Sequence, residues 1–227
     1  MNKKSLGILM LDTRFPRIKG DIGNPASFDF PVIYRRLEGI GPSDAVATHP
    51  DRPRIMAALA ANARKLADDG AVGLSTSCGF LALFQNELQA VSPIPVATSA
   101  LLLVPTLKEH KVGVITASAR NLTARHLAAV GAPEDTPIEG MPEGGSFAAT
   151  FLANGTDLDF AAVEREAIAA GRALLRKNPG VDAIVLECTN LPPYKQALRA
   201  ALGVAVYDVL DLLRDLWKRL GRRVEPG

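Results

Sequence analysis

The stretch GAVGLSTSCGFLALFQNELQA (70–90) falls on GVDAIVLECTNLPPYKQALRA (180–200) without a gap when the chain is slid by 110 positions. Gly70 then lands on Gly180, Cys78 on Cys188, Leu81 on Leu191, Leu88 on Leu198 and Ala90 on Ala200. Further on, Val96 meets Val206, and Leu102 and Leu103 meet Leu212 and Leu213. The chain has 2 cysteines, and both stand at this matched place. Two like units facing each other bring two thiols to one cleft from opposite sides, as a two-base proton transfer requires.

Working outward, the repeat reaches the first strand of each half: Leu6-Gly7-Ile8-Leu9 aligns with Val112-Gly113-Val114-Ile115 at an offset of 106. Apolar strand-like runs (5–11, 71–75, 94–97, 111–116, 181–186, 204–206) alternate with helical periodicities (54–69, 79–90, 123–130, 160–176, 193–201, 209–220). This alternation predicts an α/β fold of two pseudo-symmetric lobes, each a mostly parallel sheet flanked by helices, with the active site in the cleft between them. The expected lobes are 1–98 and 99–208, with the C-terminal helical segment 209–227 joined to the first. Segment 13–53, rich in Gly, Pro and Arg, reads as a flap or entry loop, and 133–159 as a mobile connection with room for one short strand.

Composition narrows the functional classes. At 227 residues, 48% hydrophobic and 22% charged, the chain has the balance of a soluble globular protein. A net charge of +2 carries no sign of a nucleic-acid or membrane partner. The basic run Arg214, Lys218, Arg219, Arg222, Arg223 interleaves with Leu213, Leu216, Trp217 and Leu220 at helical spacing, which predicts an amphipathic helix with a solvated basic face. Lys3 and Lys4 precede an apolar stretch too short for a secretory signal, and no apolar run has transmembrane length, so a cytoplasmic protein is expected. There, free thiols are favoured over a disulfide. His49, His110 and His126 lack metal-ligand spacing, so no metal site is expected.

Each cysteine follows an apolar strand and precedes a helical pattern, and ligands of open α/β sheets bind at the carboxyl ends of strands. A helix N-terminus there offers N–H groups that stabilise a thiolate or a substrate carboxylate. The neighbours Thr76, Ser77, Gly79, Thr189 and Asn190 are small or polar, as such a site needs. Either cysteine alone would read as a buried core thiol. Symmetry, strand-end placement and polar flanks together favour catalysis.

The segments Ser77-Cys78-Gly79 and Glu187-Cys188-Thr189-Asn190-Leu191-Pro192 resemble the two signature loops of the aspartate/glutamate racemase superfamily. That group includes amino-acid racemases, hydantoin racemases, maleate isomerases and arylmalonate decarboxylases. The resemblance implies a cofactor-independent isomerase, acting as a racemase or epimerase on an amino acid or related small carboxylate. Cys78 and Cys188 would exchange a proton with the carbon beside the carboxylate, one removing it and the other delivering it to the opposite face. The enolate that develops needs preorganised donors, here backbone N–H groups after each cysteine with Thr189 and Asn190. Ser77, Gly79, Asp12 (or as a turn cap), Thr116 and Ser118 are further substrate-binding candidates, and a homodimer is carried over from the family. Asn190 stands where glutamate racemases have His, which points away from that branch.

Two other readings stay open. One cysteine serves as covalent nucleophile in a maleate-type cis-trans isomerase, or the chain is a non-catalytic binder of small carboxylates, which has no need of two matched thiols. A decarboxylase is less favoured, because arylmalonate decarboxylases keep one of the two cysteines. Arg14 and Arg17 are candidates for a distal carboxylate but read more simply as solvated loop residues. Phe15, Phe28, Phe30, Tyr34 and Phe80 hint at an apolar pocket but read more simply as core.

Overall fold

The computed structural model describes residues 4–222; Lys3, Arg223 and the end of the terminal segment lie outside them. Two four-stranded sheets, parallel throughout, form the frame. The first is built from β1 (Ser5–Leu11), β2 (Val32–Leu37), β3 (Ala71–Thr76) and β4 (Val96–Ala97) in the order β2-β1-β3-β4. The second, from β5 (Val112–Thr116), β6 (Ile138–Gly140), β7 (Ala183–Leu186) and β8 (Ala205–Tyr207), repeats that order as β6-β5-β7-β8.

The duplication is exact to the register. Leu6 faces Gly73 and Leu9 faces Thr76 in the first sheet; Val112 faces Ala183 and Ile115 faces Leu186 in the second. The offsets of 106 and 110 read from the sequence relate these pairs directly. Parallel strands covered on both faces are uniformly apolar, and Leu6, Ile8, Leu9, Leu74, Val114, Ile115, Ile184 and Val185 are all fully buried.

Helices cover the sheets: α1 (Pro42–Ala45), α2 (Arg52–Asp68), α3 (Gln85–Val91), α4 (Ala124–Ala129), α5 (Phe160–Lys177), α6 (Lys195–Leu202) and α7 (Val209–Arg222). Side-chain caps set two of their starts: Asp51 accepts from Arg54 N at 3.1 Å and Asp159 from Ala162 N at 2.9 Å. Helix α7 lies on the first sheet, with Trp217 stacked on Phe30 at 5.1 Å and Leu216 and Leu220 over Gly73.

Two expectations are corrected. Segment 13–53 is not only an entry loop: it contains β2, whose Val32 and Tyr34 pair with Leu6 and Ile8. Its Arg35 and Arg36 hid it, because this edge strand is only half-buried. The expected helix at 79–90 is a 3₁₀ run, Gly79–Phe84, before α3 begins, and 193–201 likewise starts as a 3₁₀ turn, Pro192–Tyr194. Pro192 and Pro193 limit the hydrogen bonding of that turn.

Candidate active site

Strands β3 and β7 end at the cleft, and the loops that leave them, 77–79 and 187–190, carry the two cysteines. Both thiols are free and 8% exposed. Both line one small pocket, together with Ser77, Gly79, Glu187, Thr189 and Asn190.

The two loops meet closely. Thr189 Oγ1 donates to Ser77 O at 2.7 Å, from the second lobe to the first. A Cβ on Gly79 would lie 2.2 Å from both the carbonyl oxygen and Oε1 of Glu187. Only a residue without a side chain lets the lobes approach this far.

The thiols differ in their hydrogen bonds. Backbone N–H groups of Phe80 and Leu81 point at the Cys78 sulfur, and one, from Asn190, at that of Cys188. Cys188 Sγ also donates to Asn190 Oδ1 at 3.6 Å, and Asn190 Nδ2 donates to the buried Asp21 Oδ2 at 2.5 Å. Asp21 in turn holds Arg17 at 2.8 Å. Burial, and after it the nearby Glu187 carboxylate, pushes Cys78 up to about 12 and Cys188 well above the usual thiol range. Both thiols are therefore protonated in the empty site at neutral pH.

Glu187 is the only ionisable residue among those lining the pocket besides the cysteines. It is fully buried; Oε2 accepts from Thr116 Oγ1 at 2.7 Å, and Oε1 has no hydrogen-bond partner. Burial, set against the Thr116 and Ala117 hydrogen bonds, raises its carboxyl to about 7. Much of the remaining lining is apolar: Leu11, Phe15, Pro42, Val46, Phe80, Phe147, Phe151 and Leu152. Phe151 packs edge-on against Phe15 at 5.0 Å and beside Phe147 at 4.9 Å. It stands on a single π-helical turn, Ala148–Leu152. Asn154, just beyond, accepts Arg14 N on its side chain at 2.7 Å and donates to Asp12 O at 3.3 Å, tying this segment across to the first lobe.

Of the residues expected here, Cys78, Cys188, Ser77, Gly79, Thr189 and Asn190 line the pocket. Asp12, Thr116 and Ser118 are not among its lining residues. Asp12 is half exposed, accepting from Gly39 N at 3.0 Å and pairing with Arg36 at 3.4 Å, in the turn that follows β2 and not in the turn after Asp12 itself. Thr116 acts behind the wall, through Glu187. Ser118 closes a turn with its carbonyl, accepting from Leu122 N at 3.1 Å. Sequence reading missed Glu187, Phe147 and Phe151 as lining residues, and Asp21 as the partner of Asn190. Glu187 carried a signal, a charged residue ending an apolar strand at the position matching Ser77; Asp21 carried none.

Two duplicated parallel α/β lobes with a thiol from each in one interlobe pocket define a class of enzymes. The profile of the Asp/Glu/Hydantoin racemase family matches residues 43–215, and the chain belongs to that family. Glutamate racemase from Francisella tularensis subsp. tularensis, in complex with D-glutamate, superposes with a TM-score of 0.65 at 16% identity, over 98% of this chain and 83% of that one. Unliganded arylmalonate decarboxylase superposes with a TM-score of 0.63 at 18% identity, over 98% and 96%. Nearer in sequence are dimethylsulfoniopropionate lyases. One from Durusdinium sp. clade D is 30% identical over 218 residues, covering 91% of this chain and 71% of that protein. Lyase 5 of Emiliania huxleyi is 31% identical over 223 residues, covering 92% of this chain but only 44% of its own length. The relatives are enzymes of several reaction types on one two-lobed frame. Among the described residues, no helix is long and apolar enough to cross a membrane, and no group of three or more His, Cys, Asp or Glu is placed to hold a metal.

Proposed function

We propose that this protein is a lyase that removes the proton beside a carboxylate with a cysteine base and expels a sulfide from the next carbon, with dimethylsulfoniopropionate as substrate. The observation that carries the reading is the pocket itself. Two thiols line it with Phe15, Phe80, Phe147 and Phe151, and no Arg or Lys lines it to receive the second carboxylate of aspartate or glutamate. The named lyases at 30% and 31% identity support the same choice.

In the proposed reaction the Cys78 thiolate takes the α-proton. The C–H electron pair becomes the new C=C bond, the C–S bond breaks, and its pair leaves on dimethyl sulfide, with acrylate as the other product. The proton on Cys78 then passes to solvent. Cys78 is the base because two N–H groups address its sulfur, whereas the Cys188 S–H is engaged by Asn190.

A thiol at about 12 is a poor base until something ionises it. A sulfonium about 4 Å away at an effective dielectric of about 20 favours the thiolate by about 4 kcal/mol, or about three pKa units. A positively charged substrate thus generates its own base. Headspace detection of dimethyl sulfide and NMR detection of acrylate, in equal amounts, test the reading. Acrylate without sulfide, or neither, sinks it.

The paired thiols favour a second reading, racemisation of an amino acid by the same abstraction followed by delivery of a proton from Cys188. Chiral chromatography of amino acids and hydantoins after incubation distinguishes it. A maleate-type isomerase would leave a succinyl adduct on one cysteine, visible by mass spectrometry.

A further inference from the structure

Ser77 and Glu187 are equivalent residues of the two lobes, 110 apart. Their backbones are bonded alike: Ser77 N donates to Leu9 O and Glu187 N to Ile115 O, each at 2.9 Å. Their side chains do the same local work on N–H groups that are themselves equivalent. Leu11 N donates to Ser77 Oγ at 2.9 Å, and Ala117 N donates to the Glu187 carboxylate. A hydroxyl meets this requirement in the first lobe. In the second lobe the chain carries a carboxylate instead, fully buried, with Oε1 left unpaired. An unpaired buried oxygen costs stability, and the symmetry shows that the fold does not ask for it.

We propose that Glu187 is the cation-recognising residue of the pocket, its buried carboxylate, with Oε1 packed on Gly79 and unpaired, drawing in the positive end of a sulfonium or quaternary-ammonium carboxylate whose methyl groups pack on Phe147 and Phe151. The choice of ligand rests on the lyase reading above; the preference for a cation rests on the site. Aromatic faces and a buried carboxylate both attract a soft, weakly hydrated cation, and no side chain of opposite charge lines the pocket to neutralise Glu187 first. The groups that face or reach this carboxylate are the Thr116 hydroxyl at the end of β5, the Cys78 and Cys188 thiols, and the Arg17–Asp21 pair beyond Asn190. A bound cation draws Glu187 to its ionised form, so binding near pH 6.5 releases a proton to solvent.

The test is calorimetric titration of the whole protein with trimethylammoniopropionate and with 4,4-dimethylpentanoate, a carboxylate of the same outline and a neutral tail, in two buffers of different ionisation enthalpy. Wild type binds the ammonium compound at least tenfold tighter and releases up to one proton; Glu187→Gln loses both the preference and the release. Equal affinity for the two ligands, binding of neither, or a preference that survives in E187Q overturns the proposal. The proton count on wild type decides the matter even if the variant does not fold: cation binding with no proton released near pH 6.5 overturns it. Dimethyl sulfide formation is scored separately. A cation preference without turnover leaves this inference standing and removes the lyase reading, and turnover without the preference does the reverse.

Discussion

At the residue scale the account rests on two thiols kept neutral by burial and one carboxylate beside them. Replacement of Cys78 by Ala removes the proposed base, and loss of a positioned acid–base group costs about 10²–10⁴-fold in turnover. Cys188→Ala suffers a comparable loss if the second thiol is used, and kcat assays of both variants check this. Because Cys78 sits up at about 12, its thiolate is scarce in the empty site, so alkylation by iodoacetamide at pH 8 runs far slower than for free cysteine. Bound trimethylammoniopropionate raises the thiolate fraction while blocking access, so the reactivity is read on the empty protein. Gly79→Ala drives a methyl group into Glu187 and forces the loops apart. Overpacking of this kind costs about 1–3 kcal/mol, read as a lower Tm together with lost activity.

At the element scale, the π-helical turn and Asn154 strap the second lobe to the first across the pocket. Asn154 sits at φ 55°, a conformation Asn and Gly tolerate. Asn154→Ala both strains the backbone and releases Arg14, so KM rises several-fold with a smaller change in kcat, whereas Asn154→Gly isolates the lost hydrogen bonds. Helix α4 supplies a second test. His126, edge-on to Phe80 at 5.2 Å, is lowered by burial from 6.5 to about 4. The unfolded chain takes up a proton there that the folded chain refuses, so stability falls as pH drops from about 6.5 to about 4. Glu187, raised by burial from 4.5 to about 7, acts with the opposite sign: its contribution to stability is present below about 4.5 and lost as pH rises to about 7. Melting curves across that range separate the two, with His126→Asn flattening the acid limb and E187Q the neutral one.

At the scale of the whole molecule, the duplication carries both the fold and the site. Much of it was legible in the sequence, because a parallel sheet covered on both faces must repeat its apolar runs, and a repeated run fixes register as well as strand order. The cysteine loops were legible for the same reason. What stayed hidden follows a physical rule. Strand β2 is an edge strand whose side chains Arg35 and Arg36 break the apolar pattern, and β6 spans three half-buried residues. Phe147 and Phe151 reach the pocket from segments without periodicity, and Asp21 reaches only the Asn190 side chain behind it, so only tertiary packing brings them there. Asp12 and Ser118 illustrate the converse: strand-end positions that symmetry nominates but that the fold spends elsewhere, Asp12 on Arg36 and Gly39 and Ser118 on a turn.

In the proposed reaction a thiol in the interlobe pocket removes the proton beside the carboxylate in the step that commits the substrate. The most direct measurement is the competitive deuterium isotope effect on kcat/KM, with dimethylsulfoniopropionate carrying deuterium at both α-positions. Deuterium is expected to slow conversion several-fold, with dimethyl sulfide and acrylate still formed in equal amounts. Conversion at equal rates for the two isotopologues, or none at all, contradicts it.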